Sequence, residues 1–183
     1  MAMAQVKARF ADRSIPGSGV TEAMLAGAAL LVGGATALII LGEPRWAGGL
    51  TAAAGVLLAV AGFRVVRDRA PLDEFFDSVT DRAFDGCLLS AIALVLRQGD
   101  RVTAAIAVAA LVASFIAAYE RARGRALGYP IEDSVVSRSI RYGLVALGLL
   151  VHGWLRGTLI AVLALALLSG AVRASQVAKL ERE

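Results

Sequence analysis

Read for its apolar and polar positions, the chain falls into six apolar stretches separated by short polar breaks. The first runs from Thr21 to Leu41, with Glu22 as its only charge. The second runs from Ala47 to Phe63, after a polar turn at Glu43-Pro44-Arg45-Trp46. The third starts at Asp73 and ends at Leu96. The fourth runs from Val102 to Tyr119, the fifth from Ser139 to Val151, and the sixth from Thr158 to Val172. A bilayer core needs about 20 apolar residues per spanning helix. The pattern therefore predicts an all-α integral membrane protein with six transmembrane helices. Ala4 to Phe10 alternates basic and apolar residues and predicts a short amphipathic surface helix, broken by Pro16-Gly17-Ser18-Gly19 before the first span. The expected organisation is one domain over 1–183. Residues 1–20 form a juxtamembrane segment, 21–172 the six-helix bundle and 173–183 a tail.

Composition supports this reading. Hydrophobic residues make up 58% of the 183 positions and charged residues 19%, against about 45–50% and about 25% in a soluble domain. The net charge is +4. In so apolar a chain, that excess favours an anionic membrane surface over nucleic acid. The basic residues also set an orientation. Of the 19 lysines and arginines, fourteen fall before span one, between spans two and three, between spans four and five or in the first turn of span five, or after span six. Four, Arg45, Arg97, Arg101 and Arg156, fall in the alternate loops. Both termini are thus expected on the cytoplasmic side of a bacterial membrane. The single cysteine, Cys87, leaves no partner for a disulfide, and the single histidine, His152, argues against a histidine metal centre or a Ser-His-Asp triad. Alanine and glycine runs such as Ala52-Ala53-Ala54-Gly55 read as helix-packing surface.

The third stretch carries the chemistry. Asp73, Asp77, Asp81 and Asp85 are spaced by four, so they share one helix face over about 18 Å. Carboxylates entering a bilayer cost at least ~2.5–3.5 kcal/mol each, so a cation must face them. Mg²⁺ or Mn²⁺ would suit oxygen-only ligands. Arg64, Arg82 and Arg121 are the alternative. A solvated helix end accounts for Asp73 and Asp77, but not for Asp81 and Asp85, which precede the apolar run from Cys87 to Leu96.

This segment, Asp73 to Gly86, resembles the second half of the signature of the CDP-alcohol phosphatidyltransferase family, D-x-x-D-G-x-x-A-R-x8-G-x-x-x-D-x-x-x-D. The likeness is closest to the phosphatidylinositol phosphate synthases of actinobacteria. Asp77 and Asp81 match the last two aspartates, and Arg64 stands at the spacing of the motif arginine. Gly19-Val20-Thr21, Tyr119-Glu120-Arg121-Ala122-Arg123 and Arg138-Ser139-Ile140-Arg141 are similar to further family segments. The first half-motif departs: counted back from Arg64, its two aspartates fall on Val56 and Ala59, its first glycine on Val60, and its second glycine on Asp73.

The resemblance implies phosphatidyl transfer from CDP-diacylglycerol to an alcohol, a phosphorylated polyol, with release of CMP. It implies Asp81 as the general base and Asp77 and Asp81 as ligands of Mg²⁺ or Mn²⁺, with Asp73 and Asp85 as replacement ligands. It implies Arg64 as a remnant of the nucleotide side, and Arg121, Arg138 and Arg141 as binders of the acceptor phosphate. Membrane lipid, CDP-diacylglycerol and a phosphorylated alcohol are the expected partners, with no nucleic acid, in a homodimer or a heterodimer with an intact homologue. The missing aspartates predict impaired or altered catalysis. The alternatives are a non-catalytic pseudoenzyme and a cation pathway lined by the aspartates.

Overall fold

The computed structural model describes residues 19–68, 71–129 and 135–180. The expected surface helix at Ala4 to Phe10 lies outside the described residues. Among the described residues the protein is all-helical, with six helices and no strands. They are α1 (Gly19–Ile40), α2 (Pro44–Asp68), α3 (Pro71–Leu96), α4 (Arg101–Ala126), α5 (Val135–Leu150) and α6 (Leu155–Leu180).

Local sequence sets the helix boundaries. Gly42 has φ +83, a left-handed conformation that costs glycine nothing. There the Glu43 amide donates to the Leu38 carbonyl, closing α1. Pro44 then opens α2, where its missing N–H is no loss. The turn expected over Glu43 to Trp46 therefore comes earlier, over Leu41 to Glu43: Pro44, Arg45 and Trp46 already belong to α2. Asp100 caps α4 by accepting from the Thr103 amide at 3.1 Å.

Among the described residues, four helices are long and apolar enough to cross a membrane: Thr21–Ile40, Pro44–Val65, Arg101–Ala126 and Leu155–Ala178. The other two fall short for different reasons. α3 has 26 residues, but Asp81, Arg82 and Asp85 interrupt its apolar half. α5 has 16 residues, about 24 Å of helix, less than the ~30 Å of a bilayer core. The sixth apolar stretch, read as ending at Val172, is part of a helix that continues to Leu180.

The helices pack in a closed ring. α1 lies between α2 and α3, α5 between α2 and α6, and α4 between α3 and α6. The core inside the ring contains Val32, Leu58, Leu88, Ile92, Leu159 and Val162, all nearly inaccessible. Glycine lets α2 approach α5. A Cβ on Gly48 would stand 2.8 Å from Leu150 Cγ and 3.0 Å from the Ala146 carbonyl oxygen. One on Gly55 would stand 3.0 Å from Tyr142 Cβ. The Gly55 contact sets Tyr142 of α5 beside the aspartate face of α3, and the Gly48 contact holds the far end of α5.

Candidate functional site: an aspartate ladder and an arginine cleft

α3 turns its aspartates into the ring. Asp77, Asp81 and Asp85 are 5%, 2% and 3% exposed, as their i, i+4 spacing on one face requires. Asp73, in the first turn of α3, is a side chain outside the described residues.

The cations that meet the ladder are guanidinium groups. Arg138 Nη1 donates to Asp77 Oδ2 at 2.6 Å, and its Nε lies 3.6 Å from Asp81 Oδ1. Arg141 Nη2 reaches both Asp81 oxygens at 3.1 Å, and its Nε lies 3.2 Å from Asp85 Oδ1. Arg82 pairs with Asp81, stands 3.3 Å from Asp85 Oδ2, and donates to the Ser114 carbonyl at 2.8 Å. Three carboxylates thus face three arginines. The buried Tyr142 hydroxyl, 3.3 Å from both the Asp81 carbonyl and Oδ1, adds a further donor. Its ring packs edge-on against Phe84. α5 does not pack directly against α3, so long side chains, Arg138, Arg141 and Tyr142, bridge the gap.

Beside the ladder a narrow cleft lies between α3, α4, α5 and α6. Asp81 forms part of its wall, together with Arg121, Arg138, Arg141 and Arg173. Ser114 and Ser169 add hydroxyls. Arg173 is held by its Nη1, which donates to the Ala117 carbonyl at 2.9 Å. Ser169 Oγ donates to the Leu165 carbonyl at 2.7 Å. Ser114 is 1% exposed, and its Oγ has no hydrogen-bond partner. Four arginines and one carboxylate give the cleft a positive surplus. Such a surface binds phosphate or carboxylate groups through charge-assisted hydrogen bonds.

The ladder is a poor cation site as it stands. Among the described residues, no three His, Cys, Asp or Glu side chains are grouped to hold a metal ion. The carboxylates of Asp77, Asp81 and Asp85 point instead at arginine nitrogens. They do not fit the Mg²⁺ or Mn²⁺ that the family resemblance implies.

The expected site residues are thus partly brought together. Asp77, Asp81, Asp85, Arg138 and Arg141 form one network, and Arg121 joins its cleft. Arg64 does not: it lies on the exposed face of α2. Val56 and Val60, read as standing where the family carries an aspartate and a glycine, are 63% and 38% exposed. The α2 residues that turn inward are Gly55, against Tyr142, and Leu58, in the core. Of the three arginines read as facing the ladder, Arg82 pairs with it, Arg121 lines the cleft that Asp81 helps to form, and Arg64 is turned away. Sequence reading did not single out Arg173, Ser114, Ser169 or Tyr142. Arg173 had one signal, a charge directly after the apolar run of α6, which also fits a basic tail. Compared with known proteins, the chain matches no family model and no curated protein.

Proposed function

We propose that the protein is a six-span phosphatidyltransferase-like membrane protein that binds a phosphate monoester in its arginine cleft and does not carry out two-metal transfer. One observation carries this reading: four arginines from α4, α5 and α6 line one cleft, beside aspartates already neutralised by arginine. Family chemistry needs the opposite arrangement, with open carboxylates that hold the metals neutralising a diphosphate. With Asp81 held by Arg82, Arg141 and Tyr142, the general base of that chemistry is also engaged.

In this reading α3 and α5 cross the membrane as the buried partners of the four more apolar helices. Their polar groups face the ring, where arginine satisfies them. Both chain ends lie on the cytoplasmic side of a bacterial membrane, which the basic residues favour. The bound group is the phosphate of a phosphorylated alcohol or of a lipid headgroup. The proposed role is that of a non-catalytic member of phospholipid synthesis, paired with itself or with an intact homologue. An aspartate-lined cation pathway is disfavoured, because Asp77, Asp81 and Asp85 face arginines.

The test uses the purified full chain in nanodiscs. CMP release is measured from CDP-diacylglycerol with Mg²⁺ or Mn²⁺ and inositol phosphate or glycerol phosphate. Phosphate binding is measured in parallel. No turnover is expected, together with phosphate binding that weakens in Arg121→Gln and Arg173→Gln. Robust CMP release that disappears in Asp81→Asn would overturn the proposal. Turnover is also not expected in the triple variant Val56→Asp, Ala59→Asp, Val60→Gly. Positions 56 and 60 lie on the exposed face of α2, not against the ladder.

A further inference from the structure

The arginines of the cleft are already occupied. Arg141 spends Nη2 on both oxygens of Asp81, and Arg138 spends Nη1 on Asp77. Phosphate is best held by guanidinium groups offering paired donors, and here those donors face carboxylates of the same chain. Asp81 also forms part of the cleft wall, so its charge opposes any anion that enters. Ser114 Oγ lies in the same wall, buried and without a hydrogen-bond partner. The cleft therefore contains a hydroxyl whose donor is unused, next to arginines whose donors are used.

We infer that the aspartate ladder is a built-in competitor for the cleft: a phosphate group binds by displacing Asp81 and Asp77 from Arg141 and Arg138. The inference rests on reading the cleft as a phosphate site, and it assigns that site its regulation. Whatever loosens the ladder opens the cleft, and whatever fills the cleft loosens the ladder. Linkage makes the two effects reciprocal. The ladder aspartates thus oppose ligand binding, whereas metal-ligating or base-type aspartates would support it.

The geometry allows a clean test, because each isosteric change leaves every arginine a carboxylate partner. In Asp81→Asn, Arg141 and Arg82 keep Asp85, at 3.2 Å and 3.3 Å, and Arg138 keeps Asp77 at 2.6 Å. In Asp77→Asn, Arg138 keeps Asp81 at 3.6 Å.

Inorganic phosphate is titrated into the full chain in phosphatidylcholine nanodiscs, and thermal unfolding of each variant is recorded. Asp81→Asn is expected to tighten phosphate binding about tenfold, or about 1.4 kcal/mol, and Asp77→Asn by a smaller factor. A second arm adds phosphatidic acid to the nanodiscs. Displacement of bound phosphate assigns the site to a lipid headgroup, and lack of displacement assigns it to a free phosphate monoester. The competition stands in either case. Binding that is unchanged or weaker in Asp81→Asn, with the parent still binding, overturns the competition and leaves the phosphate site in place. No binding by folded parent and folded variants overturns both. If Asp81→Asn does not fold, Asp77→Asn decides. Failure of both to fold overturns the inference, since it requires the arginines to manage without either carboxylate.

Discussion

The protein pairs aspartate with arginine at both ends of the bundle, and the two pairings differ in kind. At the α3–α5 end, Asp81 and Arg141 are 3% and 12% exposed at their side chains, inside a network of three carboxylates and three arginines. At the α4–α6 end, Arg156 Nη2 meets Asp100 Oδ1 at 2.9 Å, with side chains 51% and 43% exposed. The Arg156 Nε also donates to Thr103 Oγ1 at 2.9 Å. The first network exists because the fold removed charges from water, so every member needs the others. The second is a helix cap with an ion pair added in solvent, where water replaces whatever is lost. Identical residue types thus make an interdependent core at one end and a dispensable clip at the other.

The largest effect should come from breaking the buried network. Arg141→Ala leaves Asp81 and Asp85 short of a counter-charge. Removing one partner of a buried pair typically costs about 3–5 kcal/mol. Thermal unfolding in detergent should show a large loss, and a parent-like midpoint would mean that the ladder is better solvated than its burial indicates.

A smaller effect should come from the packing of α2 against the far end of α5. Gly48→Val places a branched side chain where a single Cβ already meets Leu150 and the Ala146 carbonyl. Overpacking of this kind costs about 1–3 kcal/mol. The neighbouring Gly49 has nothing within 4 Å of such a Cβ, so Gly49→Ala should unfold like the parent. Equal losses in the two variants would show that the α2–α5 approach is loose and that the ion pairs alone hold α5 in place.

At the exposed end, Arg156→Ala should shift unfolding least of the three. A loss matching that of Arg141→Ala would erase the contrast between the two ends.

The smallest expected effect is one of pH. Hydrogen bonds from the Thr103 side chain and amide, together with Arg156, hold the Asp100 carboxyl down to about 2, from an ordinary value of 3.8. A carboxyl lowered by folding stabilises the protein above its unfolded pKa, and that contribution disappears as pH falls through the folded value. The difference in unfolding midpoint between the parent and Asp100→Asn should therefore be constant above pH 4 and shrink between 4 and 2. A difference that persists at pH 2 would place the cap's contribution in something other than its charge.

Much of this was legible in the order of residues. Apolar runs and their breaks locate all six helices. The four-residue spacing of Asp77, Asp81 and Asp85 predicts one buried acidic face, and the cost of burying it demands cations. Periodicity and charge act over a few turns of one helix, so a single segment is enough to read them. Which cations answer the demand is decided elsewhere. Arg138 and Arg141 lie some sixty positions along the chain, and Arg64, nearer in sequence, is turned away by the rotation of α2. The same rotation takes Val56 and Val60 off the inner face and brings Gly55 against Tyr142. A helix's rotation about its own axis is set by what its neighbours can accommodate, such as the close approach at Gly48 and Gly55. Arg173 and Ser114 share the cleft only because α4 and α6 pack side by side. Those are contacts between surfaces far apart in the chain, and no local pattern encodes them.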